Sequence, residues 1–302
     1  MRVFRSLLLG AVIFVGSSVT APAADCKNPD ALGISRTLVV DPHAYPLVGT
    51  VEYVESLRLK DHEVVLTFDD GPVDEGTDIV LDVLAHQCVK ATFFMIGLNA
   101  AESPELARRV YDEGHSVGFH TFSHPDVEKM SFDAAKADIN KGIAAVREAL
   151  GPTRAAAPFY RPPYLTMTKE LERYLNSQGI MVWSIDVDSD DWAGGTDDEV
   201  LDRTITRLEE AGKGILLMHD IQPVTTRVLP RLLLELKKRN FKIVHVVPTP
   251  TAVKPSSLVS TVMNDGWASI SHSIISKVSS FIVTTWESLS TKVAAHWNLA
   301  AR

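Results

Sequence analysis

Cysteine is scarce in this chain of 302 residues: Cys26 and Cys88 are the only two. A pair of thiols cannot build a zinc–thiolate cluster, so any metal must be held by histidine and carboxylate. Glycine-rich phosphate loops are missing as well. Neither a G-x-G-x-x-G run nor a P-loop occurs, which leaves nucleotide cofactors without support. Basic residues are outnumbered, 30 against 38 acidic, and the formal net charge of −8 argues against nucleic acid or an anionic membrane as the main partner. Internal repeats are absent too. What remains is a hydrophobic content of 45%, enough for a sizeable core in one large α/β domain or two ordinary ones.

The N-terminus has a pattern of its own. MRVFRSLLLGAVIFVGSSVTAPAADC opens with Arg2 and Arg5 and runs apolar from Leu7 to Val19. It then reaches Ala21-Pro22-Ala23, an A-x-A cleavage signal. Gly10, Gly16 and two serines interrupt the run, which suits a signal peptide over 1–23 better than a spanning helix, the alternative being an uncleaved anchor. A secreted or periplasmic protein is expected. In an oxidising compartment Cys26 and Cys88 can form one disulfide that ties an N-terminal extension (24–61) to the domain; two unpaired buried thiols are the alternative.

Strand-like runs occur at Val64–Phe68, Ala91–Ile96, Ser116–Phe119, Ala156–Tyr160, Met181–Ile185, Ile215–Met218 and Lys242–Val247. Between them apolar residues recur at helical spacing, as in Ile139–Ile143–Val146–Leu150 and Leu229–Leu232–Leu233–Leu236, and Gly114, Gly151, Gly179 and Gly212 stand where helices would stop. This alternation predicts a parallel sheet, closed as a barrel or open and doubly wound. The polar residues favour the barrel. Asp69 and Asp70 follow the first run, and His120, Arg161, Asp186 and His219 each follow a different later one; barrels gather their chemistry from several strand ends around one rim.

Two short stretches carry that chemistry. VVLTFDDGP (64–72) ends a strand with adjacent carboxylates. Strict alternation sends Asp69 and Asp70 to opposite faces, so the turn at Gly71-Pro72 has to bend the chain if both are to enter one site. HTFSHP (120–125) holds two histidines four residues apart, a spacing that puts both rings on one side of a helical turn. One Asp and two His make a facial triad with open positions for water and substrate, and a second Asp beside it can act as a base.

TFDDGP and HTFSHP resemble the first two motifs of the polysaccharide deacetylases, carbohydrate esterase family 4. RPPY (161–164), DSDDW (188–192) and LMH (217–219) resemble the third to fifth, in the family's order, and the similarity runs from about residue 62 to 248. The resemblance implies an α/β fold, a distorted barrel of about seven parallel strands, and metal-dependent removal of acetyl groups from N-acetylhexosamine units. It implies that Asp70, His120 and His124 bind a divalent metal, usually zinc, with Asp69 as general base and Arg161 holding it. His219 becomes the general acid, oriented by Asp191 or by Asp188. The Tyr164 backbone N–H helps stabilise the oxyanion, and Trp192 and Leu217 shape the acetyl pocket.

Leu165 departs from the glycine that often follows the third-motif tyrosine. The acidic loop 186–197 also suggests a calcium loop, but Asp191 and Asp197 stand where such a loop wants Gly and Glu. Three functions are weighed: a deacetylase of polysaccharide or oligosaccharide, a carbohydrate-binding pseudoenzyme of the same fold, and a deacetylase of a small amide or lipid-linked sugar. Beyond a linker (249–266), apolar residues recur at helical spacing from Trp267 to Trp297, giving an amphipathic tail (267–302). Its polar face lacks the strong basic character of a membrane-surface helix, so docking on protein is expected and membrane association is the alternative. Oligomeric state is left open.

Overall fold

The computed structural model describes residues 26–250. The signal-peptide expectation for 1–23 and the amphipathic-tail expectation for 267–302 lie outside the described residues, as does the linker beyond 250. The chain begins with β1 (Ile34–Val40), β2 (Leu47–Val48), β3 (Glu63–Asp69), α1 (Thr77–His86), β4 (Thr92–Met95), α2 (Gly97–Glu102), α3 (Pro104–Asp112), β5 (Ser116–Phe119) and α4 (Phe132–Leu150). It continues through β6 (Phe159–Tyr160), α5 (Lys169–Ser177), β7 (Met181–Trp183), β8 (Val187–Asp188), α6 (Asp197–Ala211), β9 (Gly214–His219), α7 (Pro223–Lys238) and β10 (Lys242–Pro248).

The strand pairings among the described residues are parallel and run β8-β9-β3-β4-β5-β6-β7-β2, with β10 against the start of β3 and β1 outside β10. No pairing joins β7 to β8 among the described residues, so the ring is open there: a distorted barrel.

Every residue of β3 is buried, as a strand covered on both faces requires. Its residues divide by parity. Val64, Leu66 and Phe68 pack in the larger core with helix residues such as Val80, Leu81 and Leu84. Val65 joins a smaller core with Phe94, Phe159, Trp183 and Ile215. Val40, Val48, Leu57 and Leu59 of the N-terminal segment complete that smaller core, together with Val244 and Val246.

The seven apolar runs are strands β3–β7, β9 and β10. The stretch read as an N-terminal extension contributes two more, β1 and β2, and β8 is a third that periodicity did not show. β1 mixes exposed and half-buried residues because it lies at the sheet edge, and its Arg36 reaches Glu63 at 2.7 Å. Two-residue strands such as β2 and β8 are too short to show any period.

Cys26 and Cys88 form a disulfide across a sequence separation of 62. It ties the N-terminal segment to the residues just past α1. Closing a loop of that length constrains the unfolded chain, and Cys88→Ser is expected to cost about 2–4 kcal/mol. Thermal unfolding with and without reductant checks this: the parent should lose the same increment on reduction, and a Tm that ignores reductant would show that the bridge stabilises nothing.

Candidate active site

The candidate residues stand at the carboxyl ends of the strands. Asp69 closes β3, two and four positions after Thr67 and Val65, and so shares their interior face. Arg161 directly follows β6 and is fully buried. Its Nη1 donates to Thr67 Oγ1 at 2.8 Å and to Asp69 Oδ1 at 2.7 Å, while its guanidinium lies 4.3 Å from the centroid of the Phe94 ring. A cation held this way leaves Asp69 little freedom to turn. The other carboxylate oxygen, Oδ2, lies 3.9 Å from His120 Nε2.

Asp70 comes within reach of the same place by a route that alternation did not suggest. The bend is at Asp70 itself, which has a φ of 83°, ahead of the Gly71-Pro72 turn. The histidine pair also differs from expectation: residues 120–125 form an irregular loop, not a helical turn, with Thr121 at φ 64° and His124 at φ 57°. The left-handed region costs a residue with a side chain about 1–2 kcal/mol. Three such residues around one point mark a place where the surroundings overrule local preference.

Asp138 supplies part of that constraint by accepting from Phe122 N at 2.8 Å and Ser123 Oγ at 2.7 Å. Gly142 of α4 supplies the room, since a Cβ there would lie 2.3 Å from the Thr121 carbonyl. Gly142→Ala is therefore expected to push the loop outward and weaken metal binding by about tenfold or more. Metal titration checks this. Alanine is otherwise the better helix former by about 1 kcal/mol, so a variant with the parent's affinity would show that the loop has room.

The result is a triad of potential ligands. Asp70, His120 and His124 each place a donor atom within 4.8 Å of the others'. His120 Nδ1 lies 2.6 Å from the Arg161 carbonyl oxygen, which can only accept, so that nitrogen carries the proton. In the neutral ring Nε2 is then bare, and it faces Asp70 Oδ1 at 3.4 Å. His124 Nε2 faces the same oxygen at 3.4 Å, and Oδ1 itself is buried without a hydrogen-bond partner. Acceptors turned toward one point call for a cation between them. Two donors each about 2.0–2.1 Å from one tetrahedral ion stand about 3.3–3.4 Å apart, so the spacing fits a metal such as zinc.

The titration behaviour is mixed: burial lowers His120, but the carboxylates of Asp69 and Asp70 outweigh it and raise its pKa. Burial opposes the charge on Asp70, yet the imidazoles around it, His120 first, hold its pKa at about 2. Burial and the neighbouring His120 lower His124 and keep it in the ligating form.

His219, the last residue of β9, lines the same cleft as this triad. Its Nδ1 lies 2.7 Å from Asp191 Oδ1, and its backbone N–H donates to Asp191 Oδ2 at 2.7 Å. Thr225 Oγ1 donates to the same Oδ2. Asp191 is therefore the carboxylate that grips His219, and Asp188 is not. Burial works against a charged imidazole, but the Asp191 carboxylate outweighs it and raises His219 to about 9. At neutral pH the ring is protonated and can donate.

These groups open into a cleft of about 430 Å³, also lined by Pro162, Tyr164, Leu165, Asp188, Trp192, Leu217 and Gln222. Leu217 lies on the interior face of β9, while Trp192 and Tyr164 are 59% and 63% exposed at the rim. The Tyr164 ring meets His124 edge-on at 5.0 Å. Tyr164 and Leu165 are both left-handed, with φ of 58° and 64°. Sequence reasoning missed Gln222 in the lining, and missed Asp138 and Gly142 behind the histidine loop. None of them has a signal that distinguishes it from ordinary helix or turn residues.

The polysaccharide deacetylase family profile matches residues 57–183. A peptidoglycan-N-acetylglucosamine deacetylase of Bacillus cereus is 38% identical over 144 residues, which cover 47% of this chain and 51% of that protein. A chitooligosaccharide deacetylase of a Bradyrhizobium strain is 33% identical over 61% of this chain and 89% of its own length. Among solved structures, a peptidoglycan deacetylase of Bdellovibrio bacteriovorus superposes with a TM-score of 0.65 at 30% identity, covering 76% of this chain and 62% of that one. The match spans about half the length of the Bacillus cereus relative and less, 41%, of similar proteins from Listeria monocytogenes.

Proposed function

This chain belongs to the polysaccharide deacetylase family, and on that premise we propose that it is a metal-dependent hydrolase removing N-acetyl groups from N-acetylhexosamine units of a polysaccharide or oligosaccharide. One observation carries the reading. A ligand triad, an arginine-held carboxylate and an aspartate-held imidazolium converge on a single cleft.

Asp70, His120 and His124 would hold the ion, and the nitrogen-and-oxygen donor set suits zinc. When bound, zinc supplies Lewis acidity toward the amide carbonyl and toward water. Asp69, fixed by Arg161, takes the proton of the attacking water as its oxygen bonds to the carbonyl carbon. His219, charged through Asp191, gives its proton to the nitrogen as the C–N bond breaks. Acetate and a free amine leave, and no covalent enzyme intermediate is needed. The Tyr164 N–H would add a donor for the developing oxyanion, while Trp192 and Leu217 wall the acetyl methyl.

The Cys26–Cys88 disulfide and the leader-like N-terminus support a secreted or periplasmic location. Among the described residues no helix is long and apolar enough to cross a membrane. The relatives, named for peptidoglycan N-acetylglucosamine and for chitooligosaccharide, support an N-acetylated glycan as substrate.

Acetate release from chitooligosaccharides, peptidoglycan and exopolysaccharide, with and without chelator, tests the proposal. Release from at least one of them, abolished by chelator and restored by zinc, is expected. Binding of a glycan with no acetate from any would overturn the enzymatic reading in favour of a carbohydrate-binding role.

A further inference from the structure

Directly after His219 comes Asp220, which is 1% exposed and does not line the cleft. Its Oδ1 accepts from the Gly71 backbone N–H at 3.0 Å, and its Oδ2 accepts from Thr77 Oγ1 at 2.6 Å. Thr77 Oγ1 in turn accepts from Val73 N at 2.9 Å. One carboxylate thus spans the loop that leaves Asp70 and enters α1. The fit around it is close. A Cβ on Gly71 would lie 2.1 Å from Asp220 Oδ2, and one on Gly76 would lie 2.4 Å from the Asp220 carbonyl oxygen.

On its other side the same loop is tied to β4 and α2. Asp70 N donates to Phe94 O at 3.2 Å, Ile96 N donates to Gly71 O at 3.1 Å, and Asn99 Nδ2 donates to Asp70 O at 2.7 Å. Those bonds place the loop against β4 and α2, while the β3–β9 pairing stops at Asp69 and His219. Asp220 carries the connection to β9 past that last pair, to Gly71 and Thr77.

We propose that Asp220 is a positioning residue: it locks the left-handed turn at Asp70–Gly71 to the end of β9, setting the metal affinity of the Asp70–His120–His124 triad and the alignment of His219 with it. The part concerning His219 rests on the hydrolase reading above; the part concerning affinity does not. A buried carboxylate that loses its place leaves the Gly71 N–H and the Thr77 hydroxyl without an acceptor. The β3–β9 pairing ends at Asp69 and His219, so beyond that pair the turn at Asp70–Gly71 loses its tie to the β9 side.

Zinc affinity of metal-stripped protein, read by competition with a chromophoric chelator, tests this in the parent, Asp220→Ala and Asp220→Asn. Asp220→Ala should weaken zinc about 10- to 100-fold, the usual reach of groups that orient ligands. Asp220→Asn should fall between parent and alanine, since its carbonyl oxygen still accepts from Gly71 while its amide cannot accept from Thr77. With zinc saturating, kcat of the alanine variant should fall while KM stays near the parent's, because Asp220 does not meet the cleft.

A folded Asp220→Ala that binds zinc as the parent does would overturn the proposal. If that variant does not fold, Thr77→Val, which removes one of the two partners, must still weaken zinc, and unchanged affinity there overturns it equally. A parent protein that binds zinc but releases acetate from no glycan would sink the hydrolase reading, and the affinity series would still decide this one.

Discussion

On the proposed roles, Asp69→Asn should still bind metal as the parent does and lose kcat/KM by about 10²–10⁴-fold, the range that a positioned acid–base group contributes. The reason lies in the different settings of two adjacent carboxylates. Asp70 presents Oδ1 to both imidazoles at 3.4 Å. Asp69 presents Oδ1 to Arg161 at 2.7 Å and keeps its other oxygen 3.9 Å from His120. An asparagine in place of Asp69 can still accept from Arg161 through its carbonyl oxygen, so the surroundings should hold, but an amide cannot take a proton from water. Metal analysis alongside the kinetics separates the possibilities. Loss of zinc together with turnover would make Asp69 a ligand and reverse the roles of the pair.

His219→Ala is expected to cost a similar two to four orders of magnitude, and its partner Asp191 adds a test by pH. The Asp191 carboxylate raises His219 above its ordinary value of 6.5, to about 9. The acid must be protonated to work, so activity should persist above pH 6.5 and fall as pH rises through the raised value. The basic limb of kcat/KM reports the interacting groups together. In Asp191→Asn the anion is gone, His219 titrates lower, and the limb should move toward acid. A limb that stays in place would show that some other group protonates the departing nitrogen.

Much of the barrel was legible because strands buried on both faces leave apolar runs that can be counted, and because Asp69, Asp70, His120, Arg161 and His219 fall at the ends of those runs. β1 was not, since an edge strand carrying Arg36 and half-exposed residues has no such run. The conformations that assemble the site were harder still. Asp70 at φ 83° and His124 at φ 57° are imposed by contacts from elsewhere in the chain, not by local preference. Gly142, whose Cβ position is filled by the Thr121 carbonyl, reads in sequence as a weak helix residue. Asp220 reads as one more acidic residue in a turn, because its partners Gly71 and Thr77 are 149 and 143 positions away. The choice between Asp188 and Asp191 likewise needed coordinates: both follow β7 in one acidic stretch, and only Asp191 reaches the His219 ring.

Zinc titrated into metal-stripped protein, with acetate release from a chitooligosaccharide followed at each addition, bears most directly on the proposal that Asp70, His120 and His124 hold the ion needed for hydrolysis. The rate should climb from near zero to a plateau at about one equivalent, and the same titration of His120→Ala should stay flat. Full-rate acetate release from the stripped protein in excess chelator, or a His120→Ala curve that overlays the parent's, would contradict it.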